Sequence, residues 1–432
     1  MIRLIYNLLF PVALLFFLPS YLLKMARRGN YREKFGQRLG VYDRATRARL
    51  TIGHNTWMHA VSVGEVMITL KLAARMKTNE PDLRVALTTT TTTGFALART
   101  RAPDWIEVIY TPLDFWPVMC RAFAVIRPAR VVLVEAEVWP NLVAIAHGRR
   151  IPLALVNARL STRSEKRFRL FGTFVRRYFR MLDLICVQER EDIARWESLG
   201  VESARIRLVG SVKFDPEESV SRASGPRIAL ENLGISADRS VLLGGSTHPG
   251  EEEILGRVLL RLREEFPALF LIVAPRHVER AAEVAGHLRK LGLEPLQRSE
   301  VRKSATPFDC LILDTTGELR DWYAVATIVF IGKSLTARGG QNPVEAIVAN
   351  RPVIFGPNME NFSALAEHLV EAGGAFQPND EPGLTKTIET LLRDTGQLRR
   401  AAVERAAEVL EPHRGATART AGLLHELRAR QV

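Results

Sequence analysis

Residues 130–141 read Arg-Val-Val-Leu-Val-Glu-Ala-Glu-Val-Trp-Pro-Asn. Four apolar residues, Val131 to Val134, follow one another without a polar break. A strand with one wet face alternates apolar and polar residues. An unbroken run predicts a strand buried on both faces, as in a parallel sheet covered by helices on each side. The acid straight after it, Glu135, then lies at the carboxyl end of the sheet, where open α/β sheets bind ligands.

Similar runs recur on both sides of this one. The first half offers 56–61 (TWMHAV), 83–88, 107–111, 130–135, 152–157, 184–188 and 206–211. The second offers 240–245 (SVLLGG), 269–274, 310–315, 327–332 and 352–357. Helix-length segments separate them, which predicts two doubly wound α/β domains. Residues 215–226 (DPEESVSRASGP) are polar with proline near each end and read as the linker. The expected division is an N-terminal anchor over 1–25, one domain over 26–218, and a second over 219–432 ending in Arg/Ala-rich helices. Two such domains are expected to place a ligand in the cleft between them.

The chain has 432 residues, 47% of them hydrophobic and 25% charged, which excludes a disordered chain, a fibrous repeat and a polytopic membrane protein. Cys120, Cys186 and Cys310 lie far apart without a CxxC, so neither a disulfide scaffold nor a zinc module is expected. The net charge of +13 is local. Residues 1–50 carry a net +8, residues 159–180 a net +7, and the remainder is slightly acidic. The first cluster flanks Leu4 to Leu23, twenty residues without a charge. That length suits a membrane anchor, and Lys24, Arg27 and Arg28 after it place the rest of the chain on the cytoplasmic side. Pro11, Pro19 and Asn7 leave open whether it spans the bilayer or lies in its interface. The second cluster interleaves bases with Phe168, Phe174, Tyr178 and Phe179 at helical spacing. It is either a solvated helix face or one that meets anionic headgroups. Of the basic stretches only 159–180 has the interleaved aromatics a nucleic-acid binder needs, and its neighbours read better as a membrane face, so no nucleic acid is expected.

Residues that follow strands are the candidates for chemistry. Glu65, in His59-Ala-Val-Ser-Val-Gly-Glu65, falls on a first helical turn, as an ordinary helix-start acid or as a general base. Glu135 and Glu137 alternate, so one is expected to face the site and the other away. Asn157-Ala-Arg159-Leu-Ser161 ends the next strand. Lys213, in Gly210-Ser-Val-Lys213-Phe-Asp215, can offset a phosphate or carboxylate. In the second half, Gly244 to Glu253 reads as a glycine loop entering a helix, with N–H groups for a phosphate. Arg276 offers a guanidinium. Asp314 to Leu319 ends another strand. Asn342 and Pro343 stand in cap-like positions before Glu345, which is expected to be buried and to accept ribose hydroxyls. Thr88–Thr93 end a strand and are expected to cap the next helix. No metal-binding pattern occurs.

The ordered set HAVSVGE (59–65), VEAEVWPN (134–141), NARLS (157–161), GSVKFD (210–215), STHPGEE (246–252), PRHVER (275–280), DTTGEL (314–319) and GGQNPVEA (339–346) resembles the 3-deoxy-D-manno-octulosonic acid (Kdo) transferases of lipopolysaccharide assembly. The resemblance runs from the anchor to about residue 370. It implies the GT-B fold and transfer of Kdo from CMP-Kdo to the lipid A precursor, lipid IVA, at the cytoplasmic face of the inner membrane. It implies Glu65 as proton acceptor, and Glu135 and Lys213 as transition-state stabilisers. Pro275, Arg276, Gly317, Glu318, Leu319, Asn342, Pro343, Val344 and Glu345 are the implied CMP contacts. No metal or other cofactor is expected, because Lys213, Arg276 and a helix start can offset a monophosphate leaving group. Gln341 stands where many relatives have His. Two alternatives remain open: a GT-B enzyme using another nucleotide sugar, and a non-catalytic nucleotide-binding anchored protein.

Overall fold

The doubly wound pattern holds in the computed structural model, which describes residues 3–12, 15–16, 34–160, 165, 168, 170, 172–216, 224–301 and 308–429. The chain forms two α/β units. One is Met1–Asp215 with His413–Val432, and the other is Pro216–Pro412.

The first unit has seven strands: β1 (Asn55–Ala60), β2 (Val85–Thr89), β3 (Ile106–Tyr110), β4 (Pro128–Val134), β5 (Leu153–Ala158), β6 (Leu184–Val187) and β7 (Ile206–Leu208). They lie in the order β3-β2-β1-β4-β5-β6-β7 and pair in parallel. Successive side chains enter opposite layers. Val131 and Leu133 pack in one core with Trp57 and Leu155, while Val132 and Val134 pack in the other with Met58 and Val156. This is the reason the β4 run contains no polar position. The order turns back on itself between β1 and β4, and at such a point the loops diverge and leave a crevice.

The second unit repeats the design with β8 (Val241–Thr247), β9 (Phe270–Pro275), β10 (Pro295–Gln297), β11 (Cys310–Ile312), β12 (Ile328–Ile331), β13 (Val353–Phe355) and β14 (Ala375–Phe376). Their order is β10-β11-β9-β8-β12-β13-β14, again parallel, and it reverses between β8 and β12. The edge strands β10 and β14 have three and two residues and leave no periodic mark in the sequence.

The division differs from the expected one at the C-terminus. The helix Ala416–Ala429 belongs to the first unit, where Ala421 and Leu424 complete the core beside the helix Val63–Asn79. Arg130 explains the attachment. Its guanidinium is fully buried on β4, binds both oxygens of Glu80 at 2.9 and 2.8 Å, and donates to the Leu424 carbonyl at 2.9 Å. A buried guanidinium is tolerated only when its donors are satisfied, and the last helix supplies one of the acceptors.

Residues 13–14 and 17–23 of the uncharged run Leu4 to Leu23 lie outside the described residues, as do Lys24, Arg27 and Arg28. Residues 3–12 are helical. Among the described residues no helix is long and apolar enough to cross a membrane. Within 159–180, the helix Gly172–Phe179 buries Tyr178 and Phe179 and exposes Arg176 and Arg177, while Arg163, Lys166, Arg167 and Arg169 lie outside the described residues. Of the linker, 217–223 lies outside them too, and a helix starts at Ser224.

Candidate active site

Glu65 follows β1 and Glu135 follows β4, so the fold's first switch point brings the two acids together. Glu65 sits at the third position of the helix Val63–Asn79 and closes a capping box with Ser62. Its carboxylate accepts the N–H groups of Val61 at 2.8 Å and Ser62 at 3.2 Å. The side chain is buried and fixed by backbone at both oxygens, leaving their remaining lone pairs for an incoming proton.

β4 ends at Val134, and Glu135 takes a left-handed conformation with φ 61°. The strand alternation therefore stops before the two acids, and the expectation that one of them faces away is corrected. Both carboxyls feel Glu65. Burial, then the Glu65 charge, pushes Glu135 above the ordinary carboxylate range, while Lys213 and Arg159 pull it back. Burial, then Glu65 and Glu135, pushes Glu137 up to about 7, against a hydrogen bond from Trp139. Like charges crowded in a half-buried space resist ionising together, which is why the Glu137 carboxyl is pushed up. Glu137 was not singled out from the sequence, because strict alternation argued for only one acid of the pair.

Lys213 comes to this cluster on the loop after β7. Burial lowers its ammonium below the usual lysine value, and the Glu135 charge opposes that shift. Three anchors hold the loop. Asn157, at φ 51° near the end of β5, accepts the Val212 N–H at 3.0 Å. Lys71, from the Glu65 helix, donates to the Val212 carbonyl at 3.2 Å. Asp215 accepts the N–H groups of Gly415 and Thr417, both at 2.7 Å. The motifs of Glu65, Asn157 and Lys213 are thus tied to one another.

His59, fully buried at the end of β1, braces the acidic turn from below. Trp139 donates its indole N–H to Nε2 at 3.2 Å, and Nδ1 lies 3.0 Å from the Thr88 hydroxyl. An acceptor at Nε2 requires the proton on Nδ1, the neutral tautomer. Burial pushes the imidazole down to about 4, in keeping with that state. Thr88 is thereby a partner for His59, and Thr91 caps the following helix through the Gly94 N–H, as expected of the threonine run.

The helix over 3–12 docks on the same motif. Asn7 and Asn141 exchange side-chain hydrogen bonds at 2.9 and 3.0 Å, Arg3 Nε donates to Asn141 at 3.0 Å, and the Tyr6 hydroxyl donates to Asp114 at 3.1 Å. Asp114 is buried and pushed up to about 6 by burial, although it also accepts the N–H groups of Asn141 and Leu142. The other side of this helix turns Leu4, Ile5, Leu8, Leu9 and Val12 to the outside, with Leu4 and Leu8 more than 70% exposed.

In the second unit, the implied contact residues gather at the carboxyl edge of their sheet. Pro275 ends β9 and is buried, and Arg276 follows it, exposed. The short helices Leu319–Tyr323 and Val344–Val348 touch, which places Gly317-Glu318-Leu319 beside Asn342-Pro343-Val344-Glu345. Asn342 caps its helix by accepting the Val344 N–H at 3.1 Å. Glu318 receives the Trp322 indole N–H at 3.4 Å and pairs with Arg298 at 3.5 Å. Glu345 is exposed, contrary to expectation, because the first turn buries Val344, Ala346 and Ile347 and leaves position 345 on the outer face.

The supposed glycine loop is also corrected. Gly244 and Gly245 lie inside β8, where a Cβ would strike Leu255 and the Tyr323 hydroxyl. A set of backbone N–H groups does converge beyond the strand, from His248, Lys333, Ser334 and Leu335, but the Glu251 carboxylate fills it at 2.7–3.0 Å. Those donors are taken. Side chains carry the positive charge instead. Lys333 follows β12 at the second switch point, and burial, with Lys333, Arg280 and Arg276 among the groups that act on it, pushes His248 down to about 4. Arg280 is paired with buried Glu252 at 2.9 Å. Gln341 contacts His248 Nε2 at 3.2 Å, so it reaches from the loop before the Val344 helix to the end of β8. Lys333 was not picked out in advance, although it ends an apolar run just as Lys213 does. Among the described residues no cluster of three or more His, Cys, Asp or Glu could hold a metal ion.

The family model described as 3-deoxy-D-manno-octulosonic-acid transferase (kdotransferase) matches residues 33–216. A 3-deoxy-D-manno-octulosonic acid transferase of Haemophilus influenzae is 30% identical over 407 residues, 93% of each chain. One of Bordetella pertussis is 33% identical over 394 residues, 88% of this chain and 89% of its own. Among solved structures, Acinetobacter baumannii MurG matches with a TM-score of 0.55 at 15% identity, covering 87% of this chain and 99% of its own. A likeness at that identity speaks for the fold class alone, the GT-B class of two parallel-sheet α/β units. The sequence likeness over nearly the whole length decides the family: this chain belongs to the 3-deoxy-D-manno-octulosonic acid transferases.

Proposed function

We propose that the chain transfers Kdo from CMP-Kdo to lipid IVA, the lipid A precursor, in lipopolysaccharide assembly. The observation that carries this reading is the meeting of Glu65, Glu135 and Lys213, from three separate motifs, in one charge cluster. A sugar hydroxyl is a weak nucleophile at neutral pH. Glu65 takes its proton as the oxygen attacks the anomeric carbon of Kdo, the bond to the phosphate of CMP breaks, and CMP leaves. Positive character builds on the sugar in that step, and Glu135 stabilises it. Lys213 opposes the upward push on the Glu135 carboxyl and offsets the phosphate charge. In the second unit, Pro275, Arg276, the Gly317–Leu319 segment and the Asn342–Glu345 segment bind CMP, and Lys333 adds to the positive field. This scheme uses no metal ion.

The N-terminal segment attaches the protein to the cytoplasmic face of the inner membrane, with anionic headgroups meeting its basic flank. The helix over 3–12 is bonded to Asp114 and Asn141 along one side and shows leucines on the other, which favours a helix lying in the membrane interface. Mass spectrometry of the product formed from lipid IVA and CMP-Kdo tests the reading and counts the sugars added. Absence of any product from the intact chain in mixed micelles, or transfer from a UDP- or GDP-sugar instead, would overturn it.

A further inference from the structure

A cavity of about 410 Å³ opens beside the acidic cluster. Its walls come from three places: Tyr6 on the N-terminal helix, Glu137 and Trp139 on the turn after β4, and Phe168, Phe174 and Tyr178 on the segment before β6. Its size falls within the range of about 300–1,000 Å³ typical of ligand pockets. Apart from the Glu137 carboxyl and the hydroxyls of Tyr6 and Tyr178, the lining side chains are mainly aromatic and aliphatic. Tyr178 is 3% exposed, and its hydroxyl has no hydrogen-bond partner among the described residues.

We propose that this pocket holds an acyl chain of the lipid acceptor, an assignment that rests on the acceptor being a lipid as argued above. Three observations favour that occupant. An apolar lining suits a hydrocarbon chain and offers few partners for a sugar. The acid at the end of the pocket, Glu137, belongs to the cluster that contains Glu65, so a chain seated here places its attached sugar at the reacting groups. Both flanking elements also carry leucines turned outward: Leu4 and Leu8 beside Tyr6, and Leu170, 80% exposed, beside Phe168. The elements that wall the pocket thus also carry the apolar side chains proposed to meet the bilayer. Trp139, fixed by its bond to His59, is a rigid part of the lining.

The test compares two acceptors, lipid IVA and its fully deacylated sugar backbone, on the full chain in mixed micelles. Val175 also lines the pocket, and Val175→Trp should fill it. The apparent KM for lipid IVA should then rise at least tenfold, while the KM for CMP-Kdo and the kinetics with the deacylated backbone stay unchanged. Equal effects on both acceptors, or none, overturn the proposal. If the wild-type chain modifies neither acceptor, the transferase reading fails instead. Should Val175→Trp not fold, a lipid IVA analogue with a diazirine on its acyl chain gives a second measurement on the unaltered protein. Labelling of Trp139, Phe174 or Tyr178 supports the pocket. Labelling elsewhere, or labelling of these residues only by a diazirine-bearing phosphatidylglycerol, overturns it.

Discussion

Replacing Lys213 by methionine should disable the acidic cluster in a way that pH reveals. Lys213 and Arg159 are the cations that hold the Glu135 carboxyl down against burial and the Glu65 charge. Methionine keeps an unbranched stem and removes the ammonium. In a partly buried setting with an effective dielectric of ~20, two unit charges attract by about 4 kcal/mol at 4 Å and about 2 kcal/mol at 8 Å. Losing that attraction pushes the Glu135 carboxyl further up, the way burial and the Glu65 charge already push it. Glu135 starts above the ordinary range, so losing the cation favours its protonated form further. Its negative charge is then missing when positive charge builds on the sugar. The kcat at neutral pH should fall about 10²–10³-fold, the usual size for loss of one charge-stabilising group. The acid limb of the kcat–pH profile should move upward, because a raised carboxyl pKa means protonation at higher pH. The KM for CMP-Kdo should stay within about threefold. The assay is CMP release checked by product mass, from roughly pH 6 to 9. Lys213→Arg should recover most of the rate. An unmoved acid limb, or a donor KM that changes as much as kcat, refutes the argument.

Other substitutions probe the remaining parts. Glu65→Ala should abolish transfer, leave CMP affinity intact by calorimetry, and cost about 1 kcal/mol by opening the capping box. Glu65→Gln keeps an acceptor for the Ser62 N–H, so it should lose transfer without the drop in melting temperature; weaker CMP binding in either variant would count against the base role. The folded-state pKa of His59 is depressed to about 4, so its contribution is present above its ordinary value and is lost as pH falls through the acid range. That linkage amounts to about 3 kcal/mol between roughly pH 6.5 and 4, read as faster hydrogen exchange at β1, and His59→Gln should flatten it. Exchange that is equally pH-dependent in the variant would point to another group. Glu80→Ala should cost about 3–5 kcal/mol by leaving the Arg130 guanidinium buried without its carboxylate. A loss below about 1 kcal/mol in chemical denaturation would show that water or another acceptor replaces it.

Much of this architecture is legible in the sequence. β4, β6, β9 and β12 write themselves as unbroken apolar runs, because a parallel strand between two helical layers has no wet face. Glu65, Glu135 and Lys213 stand out because each follows the end of a strand. What failed did so for physical causes. β10 and β14 are too short to carry a period. Glu137 was misjudged because alternation was carried past the end of β4, where a left-handed residue breaks it. The phosphate cradle before the helix Glu251–Leu262 looked empty because sequence spacing does not reveal that Glu251 folds back into the N–H groups of residues 333–335. Glycines 244 and 245 are demanded by close neighbours rather than by a ligand.

The return of the last helix to the first sheet has a consequence for how the protein is made. In covalent terms the second unit is an insertion in the first, entered after Asp215 and left before His413. During synthesis, about two hundred residues must emerge between the end of β7 and the helix that covers Leu72, Ala73 and Arg130. The inserted unit has its own sheet and core and can complete itself while the first still has an open flank. Cutting the gene after residue 215 therefore removes part of a core, whereas joining 1–215 to 413–432 through a short spacer keeps every layer of that unit. The fused piece, and not the simple truncation, is the one expected to be soluble enough for separate study.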